Sequence, residues 1–172
     1  MTANKFYERY KVIKMANHVM FRSDAMAGTT LGQYLVSLRV ATEIDNGMLV
    51  AVGSLEEGQR EVKAMAAIGA DTKLGAIAVL GSEEVDKEAS FDTVGGFTNK
   101  VGTIARGYIL HDGGAYAVTA GAFEGDVPAK NAKVYAKAGS NKHATAGDVE
   151  IGTCEAIETD GATTWYVIRI GA

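Results

Sequence analysis

One cysteine, one proline and three histidines leave this 172-residue chain short of the residues that make covalent staples and most metal sites. The lone thiol, Cys154, cannot close an internal disulfide or build a Cys-rich zinc site, so stability is expected from packing or assembly. His18, His111 and His143 lie far apart with no His-x-x-x-His pair, which reads as surface or structural histidine. A Gly-x-Ser-x-Gly elbow, a Gly-x-x-x-x-Gly-Lys-Ser/Thr phosphate loop and a strand–Gly-x-Gly-x-x-Gly–helix unit are all missing, so serine hydrolysis and nucleotide binding have no motif. No apolar run approaches the ~20 residues that cross a bilayer, and no apolar stretch of a secretory signal follows the basic N-terminus. A soluble, cytoplasmically made protein is the expectation, with no membrane partner.

What the chain has is glycine, β-formers and an uneven charge. Its length suits one domain of ordinary size, and 47% hydrophobic with 22% charged residues is globular rather than disordered. Net charge is −4, which argues against a general nucleic-acid binder. Residues 1–39 hold six basic and two acidic side chains, leaving eleven basic and nineteen acidic in 40–172, so +4 sits against −8. This reads as a basic arm (1–30) on an acidic β-rich body (31–172).

In the arm, Phe6, Tyr7 and Tyr10 mix with Arg9 and Lys11 without clear strand alternation, and Met20, Phe21, Arg22 and Met26 follow in a polar stretch. Apolar anchors in such a segment suggest docking elsewhere. From Leu31 the pattern sharpens. Residues 33–44 and 48–52 flank Asp45-Asn46-Gly47, and Asn-Gly between apolar runs predicts a hairpin. Ser54-Leu-Glu-Glu57 fits a helix capping box, but Gly58 and the alternation of Glu61-Val-Lys-Ala-Met65 favour a strand. Residues 73–80 form a compact β-run, residues 108–118 a second hairpin turning at Asp112-Gly113-Gly114, and residues 133–137 a strand. Residues 147–170 close the chain as a hairpin turning at Asp160-Gly161. With twenty-one glycines for tight turns and bulges, the fold class is mainly β, a compact barrel or sandwich of short antiparallel strands. In the last strand Trp165, Val167 and Arg169 share one face and Tyr166, Ile168 and Ile170 the other, so both faces require a cover.

Between the β-runs, residues 83–100 form a long polar segment carrying Phe91 and Phe97, and loops of this length are often functional. Glu83, Glu84, Asp86 and Glu88 within it lack the ligand spacing and central glycine of an EF-hand loop, so they read as a solvated acidic loop. Cys154 falls in a predicted strand, where a small half-buried side chain suffices. No catalytic, cofactor-binding or metal residue is assigned.

Three phrases in order carry a family resemblance: Ala41-Thr-Glu-Ile-Asp-Asn-Gly-Met-Leu-Val-Ala-Val-Gly53, then Gly96-Phe-Thr-Asn-Lys-Val-Gly-Thr-Ile-Ala-Arg-Gly-Tyr-Ile-Leu110, then the ending at 147–170. Over about residues 15–170 the chain resembles the decoration, or cement, proteins of tailed-bacteriophage heads. Residues 1–14 precede the start that family pattern suggests at Met15. The resemblance implies a non-enzymatic virion protein, oligomeric or lattice-ordered, on the outer surface of the capsid. Its implied partners are the major capsid protein lattice and other copies of itself, with no cofactor and no nucleic acid. Phe6, Tyr7, Arg9, Tyr10, Lys11, Met20, Phe21, Arg22, Phe91 and Phe97 are the expected contact residues. The alternative is a β-barrel module that binds a glycan or small molecule through Trp165, Tyr108 and Tyr116, as a head fibre or host-surface adhesin would. A hydrolase on a trimeric β-fold is a third, weaker reading.

Overall fold

The computed structural model describes residues 18–26, 34–84 and 96–171. The fold is mainly β: eleven strands lie among these residues, in a closed five-stranded barrel and a six-stranded sheet. The barrel contains β2 (Leu35–Arg39), β3 (Leu49–Leu55), β4 (Val62–Ala66), β5 (Ile77–Leu80) and β6 (Ile104–Ile109), ordered β2-β4-β3-β5-β6. The sheet contains β1 (Phe21–Arg22), β7 (Ala115–Thr119), β8 (Lys133–Ala136), β9 (His143–Ala144), β10 (Val149–Asp160) and β11 (Thr163–Ile170), ordered β1-β7-β11-β10-β8-β9. Every pairing is antiparallel except β2 with β4, which β3 makes possible by carrying the chain back between them.

Period-two alternation explains how the layers pack. In β5 the residues Ala78 and Leu80 point into the barrel while Ile77 and Val79 point out against the sheet, so the whole strand is buried. In β3, Val50 faces the barrel interior and Leu49 and Ala51 face the sheet. The barrel is filled by Val36, Leu38, Val40, Ile44, Val50, Ala78, Leu80 and Ala105. Between barrel and sheet lies a larger core that includes Tyr116, Val118, Phe123, Ile151, Tyr166, Ile168 and Ile170.

Several local expectations match the structure. The closing hairpin is β10–β11, turning at Gly161-Ala162, one residue beyond the predicted Asp160-Gly161, with a β-bulge between Cys154 and Ala156. Residues 54–66 are strand and turn rather than helix, and β8 lies where the strand at 133–137 was predicted. The β-run predicted from residue 73 begins instead as a 3-10 turn at Leu74–Ala76 before β5. Of the last strand, Tyr166, Ile168 and Ile170 belong to the protein's own core.

Two predicted hairpins are not hairpins. Asn46-Gly47 does turn, with Gly47 at φ +79, but β2 and β3 do not pair with each other: β2 joins β4 and β6, and β3 joins β4 and β5. A Cβ on Gly47 would lie 3.0 Å from side-chain atoms of both Val19 and Val118, so the turn is wedged against the sheet and the chain leaves it in a different direction. At Asp112-Gly113-Gly114 the turn is also real, with Gly113 at φ +84, but it carries the chain from barrel strand β6 to sheet strand β7. The Gly113 N–H donates to the Ile170 carbonyl and the Ile170 N–H to the Gly114 carbonyl, so β11 holds this crossover.

The predicted arm also needs correction at its C-terminal part. Phe21 pairs with Val118 and its ring lies 5.8 Å from Tyr108 and 6.0 Å from Tyr116, while Met26 packs on the same core. Residues 18–26 are therefore a strand and turn of the domain, and Phe21 and Met26 anchor this chain to itself.

Candidate functional site

Where barrel and sheet meet, an open groove of about 980 Å³ has the side chains of Ile44, Met48 and Phe123 as apolar lining and His18, Glu43, Asp45, Glu124, Asn141 and Lys142 as polar lining. His18 is tied there by its Nδ1, 2.8 Å from Asp45 Oδ1, and the neighbouring Val19 N–H donates to Asp45 Oδ2 at 3.1 Å. The opposite wall is held by Asn141, whose Nδ2 donates to the Leu49 carbonyl at 2.7 Å while the Leu49 N–H donates back to the Asn141 carbonyl. These bonds position the groove between two rigid elements.

Beside it lies a clamp built on Asn46, only 2% exposed. Asn46 Nδ2 donates to the Ser82 carbonyl at 2.9 Å, and Asn46 Oδ1 accepts from the Ser82 N–H at 3.0 Å and from Asn99 Nδ2 at 3.1 Å. Asn99 is itself 3% exposed, bridges Ile44 through the backbone and gives a second Nδ2 bond to the Ile44 carbonyl at 3.0 Å. Burial pushes the Glu84 carboxyl above its usual range, opposed by a hydrogen bond with Asn46. Ser82 and Asn99, at the two ends of the predicted 83–100 loop, are thus fastened side by side on one buried amide, and residues 85–95 between them lie outside the described residues. Thr98, one residue from the clamp, also lines the groove. Asn46 was legible only as a turn residue, because a turn asparagine and a buried amide hub look alike in sequence.

On the barrel wall, Arg39 ties three segments together. Its Nε donates to Glu56 Oε2 at 3.1 Å, its Nη1 donates to the Gly102 carbonyl at 2.9 Å, and it stands opposite Ile104 in the β2–β6 register. Those same segments carry the exposed aliphatics Leu55, Val101 and Ile104, at 48%, 63% and 51% exposure. Each of the three thus adjoins Arg39 or one of its two partners, Leu55 beside Glu56, Val101 beside Gly102 and Ile104 opposite Arg39 itself.

Of the expected contact residues, Phe6, Tyr7, Arg9, Tyr10, Lys11 and Phe91 lie outside the described residues. Met20 and Phe97 are half-buried, and Phe21 belongs to the core as above. Arg22 donates from Nε to Asp24 Oδ1 and from Nη2 to Glu158 Oε2, both at 2.6 Å, and its guanidinium lies 5.3 Å from the Trp165 ring. These partners raise its pKa further and leave it serving the sheet's outer face. Of the four that are described, the structure does not gather Phe21 and Arg22 onto one surface, since the first packs on the core and the second serves the sheet's outer face.

Nor does it bring the chemistry-bearing groups together. His143 is buried among Tyr116, Phe123 and Ala122: its Nδ1 faces the Ala122 carbonyl at 3.3 Å, which places the proton there, and Nε2 accepts from the Tyr116 hydroxyl at 2.7 Å. Burial lowers its pKa to about 4. Tyr116 is raised by the same desolvation. His111 stacks on Tyr34 at 4.1 Å, remote in sequence from both other histidines. Cys154 is fully buried and its thiol is pushed up by burial, opposite to what a nucleophile needs. Among the described residues no group of three or more His, Cys, Asp or Glu side chains is placed to hold a metal ion, and no helix is long and apolar enough to cross a membrane. Tyr116 is in the core, Tyr108 packs on Phe21 and Trp165 lies under Arg22, so the three aromatics of the glycan reading do not share a surface.

Compared with protein-family models, with curated proteins and with solved structures, the chain matches none.

Proposed function

We propose that this protein is a structural, non-enzymatic decoration protein that binds the outer surface of an assembled phage capsid and stabilises it. The observation that carries the reading is the exposed aliphatic set Leu55, Val101 and Ile104 about Arg39, on a barrel that needs none of them for its own core. Ser82 and Asn99, at the two ends of the predicted 83–100 loop, are held together on Asn46 beside the same barrel. The three ordered sequence phrases support the same role. A capsid repeats one shallow surface many times, and a protein that binds only the assembled lattice stabilises it by mass action. Joined copies would add avidity.

Co-sedimentation with undecorated mature heads tests this. The expected result is binding and a gain in the heads' heat resistance, with both lost in a Val101→Glu/Ile104→Glu variant that melts at the wild-type temperature. A protein that stays in the supernatant and leaves head stability unchanged sinks the proposal.

A further inference from the structure

The β10–β11 hairpin is longer than the sheet that supports it. β8 pairs with β10 only along Val149, Glu150, Gly152 and Thr153, and the backbone of Cys154 is then taken by Asn131 and Ala132. Beyond that point β10 runs on from Glu155 to Asp160 with β11 on one side. Among the described residues nothing pairs with its other side. Six residues of strand edge therefore present backbone N–H and C=O groups outward. That is a template for one more strand.

Of the usual protections of an exposed edge, the bulge between Cys154 and Ala156 guards its start while others are missing along the rest. Residues 155–164 contain no proline and no lysine, and Ile157 is 44% exposed on the ribbon. What the edge does have is charge of one sign: Glu155, Glu158 and Asp160, with no basic residue between 155 and 164. Arg169 from the adjacent β11 and Arg22 from β1 reach Glu155 and Glu158, yet both carboxylates keep nearly half their side-chain surface exposed.

The same chain contains a segment of complementary chemistry. Residues 1–14 carry Lys5, Arg9, Lys11 and Lys14 against Glu8 alone, and supply β-formers in Phe6, Tyr7, Tyr10, Val12 and Ile13. That segment enters the fold at His18, beside β1. In the sheet order β7 and β11 separate β1 from β10, a distance of about 14 Å at ordinary strand spacing. Each copy thus carries a basic segment leading to β1 and, on β10, an acidic edge with no strand on one side among the described residues, a pairing of opposites that suits a head-to-tail contact between copies.

We propose that residues 1–14 of one copy add as a β-strand to the 155–160 edge of β10 in a second copy. Backbone hydrogen bonds to the edge supply the attachment, and the opposed charges select the segment and steer it. The contact goes beyond capsid binding and does not require it, so it is measured with no heads in the sample.

Light scattering over a concentration series compares the full chain, a chain lacking residues 1–14, and a Glu158→Lys/Asp160→Lys variant. The full chain is expected to self-associate, with association abolished by the deletion and weakened about tenfold or more by the charge reversal. Mixing the charge-reversed protein with an Arg9→Glu/Lys11→Glu variant restores association. Hydrogen exchange at amides of 155–160 slows as concentration rises, in the full chain only. A full chain that is monomeric throughout, association unchanged by the deletion, or protection of 155–160 that does not depend on concentration each overturns the proposal, the last because it places the segment on its own copy. The deleted chain is compared by thermal melt, and a melting temperature equal to that of the full chain separates loss of association from a folding defect.

Discussion

Gly107 and Gly152 occupy the two halves of the molecule, and the reason each is glycine differs. Gly107 points into the barrel, where an added Cβ would lie 3.0 Å from Leu38 Cδ1 and Val36 Cγ1 and 3.1 Å from the Ala78 Cβ. Gly152 lies between β8 and β11 in the sheet, where an added Cβ would fall directly on the Arg169 carbonyl oxygen. Gly107 is closed in by side chains, which can shift by a few tenths of an ångström. Gly152 is closed in by backbone, which cannot shift without breaking the β10–β11 ladder. The two cores also differ, since the barrel interior is aliphatic and the inter-layer core holds aromatics and the Tyr116–His143 pair. Gly107 is thus the more forgiving position and Gly152 the more exacting one.

The largest test of that contrast is Gly152→Ala, expected to cost roughly 3–5 kcal/mol or to prevent folding. Chemical denaturation measures it, and a loss under 1 kcal/mol would show that the β10–β11 backbone yields as easily as the barrel side chains. Next comes acid. His143 titrates near its ordinary 6.5 in the unfolded chain and at about 4 in the fold, because burial disfavours the imidazolium. The unfolded chain therefore binds the proton first. Stability present above pH 6.5 falls as the pH drops toward 4, by up to about 3 kcal/mol from this group. Melts of wild type and His143→Gln across that window should differ in slope, and parallel curves would contradict the assignment. Smallest is Gly107→Ala, expected to cost about 1 kcal/mol as Leu38 and Val36 repack. A cost equal to that of Gly152→Ala would erase the distinction between the two positions.

Much of the local structure was legible from residues alone. The Asp160-Gly161 hairpin, the strand at 133–137, the strand reading of 54–66 and the positive-φ turns at Gly47 and Gly113 follow from alternation and turn chemistry, which act over a few neighbouring residues. Partner choice was not legible. Asn46-Gly47 and Asp112-Gly113 turn as expected, but the strands they join belong to other neighbours, because pairing is settled by which apolar faces must be covered across the whole domain. The Asn46 clamp was hidden for the same reason, since Ser82 and Asn99 are far from it in sequence and meet only after the barrel closes.

The sequence by itself determined a β-rich protein punctuated by glycine turns, a basic start on an acidic body, and two apolar faces on the last strand. Tertiary structure alone decided that these strands divide into a closed barrel and a sheet. It also decided that Phe21 turns inward, that Arg39 joins Glu56 to Gly102 across the barrel wall, and that among the described residues β10 outruns its neighbour β8 along an acidic stretch. The physical reason is range. Backbone preference and side-chain alternation are written residue by residue, whereas burial and edge exposure depend on what the rest of the chain covers.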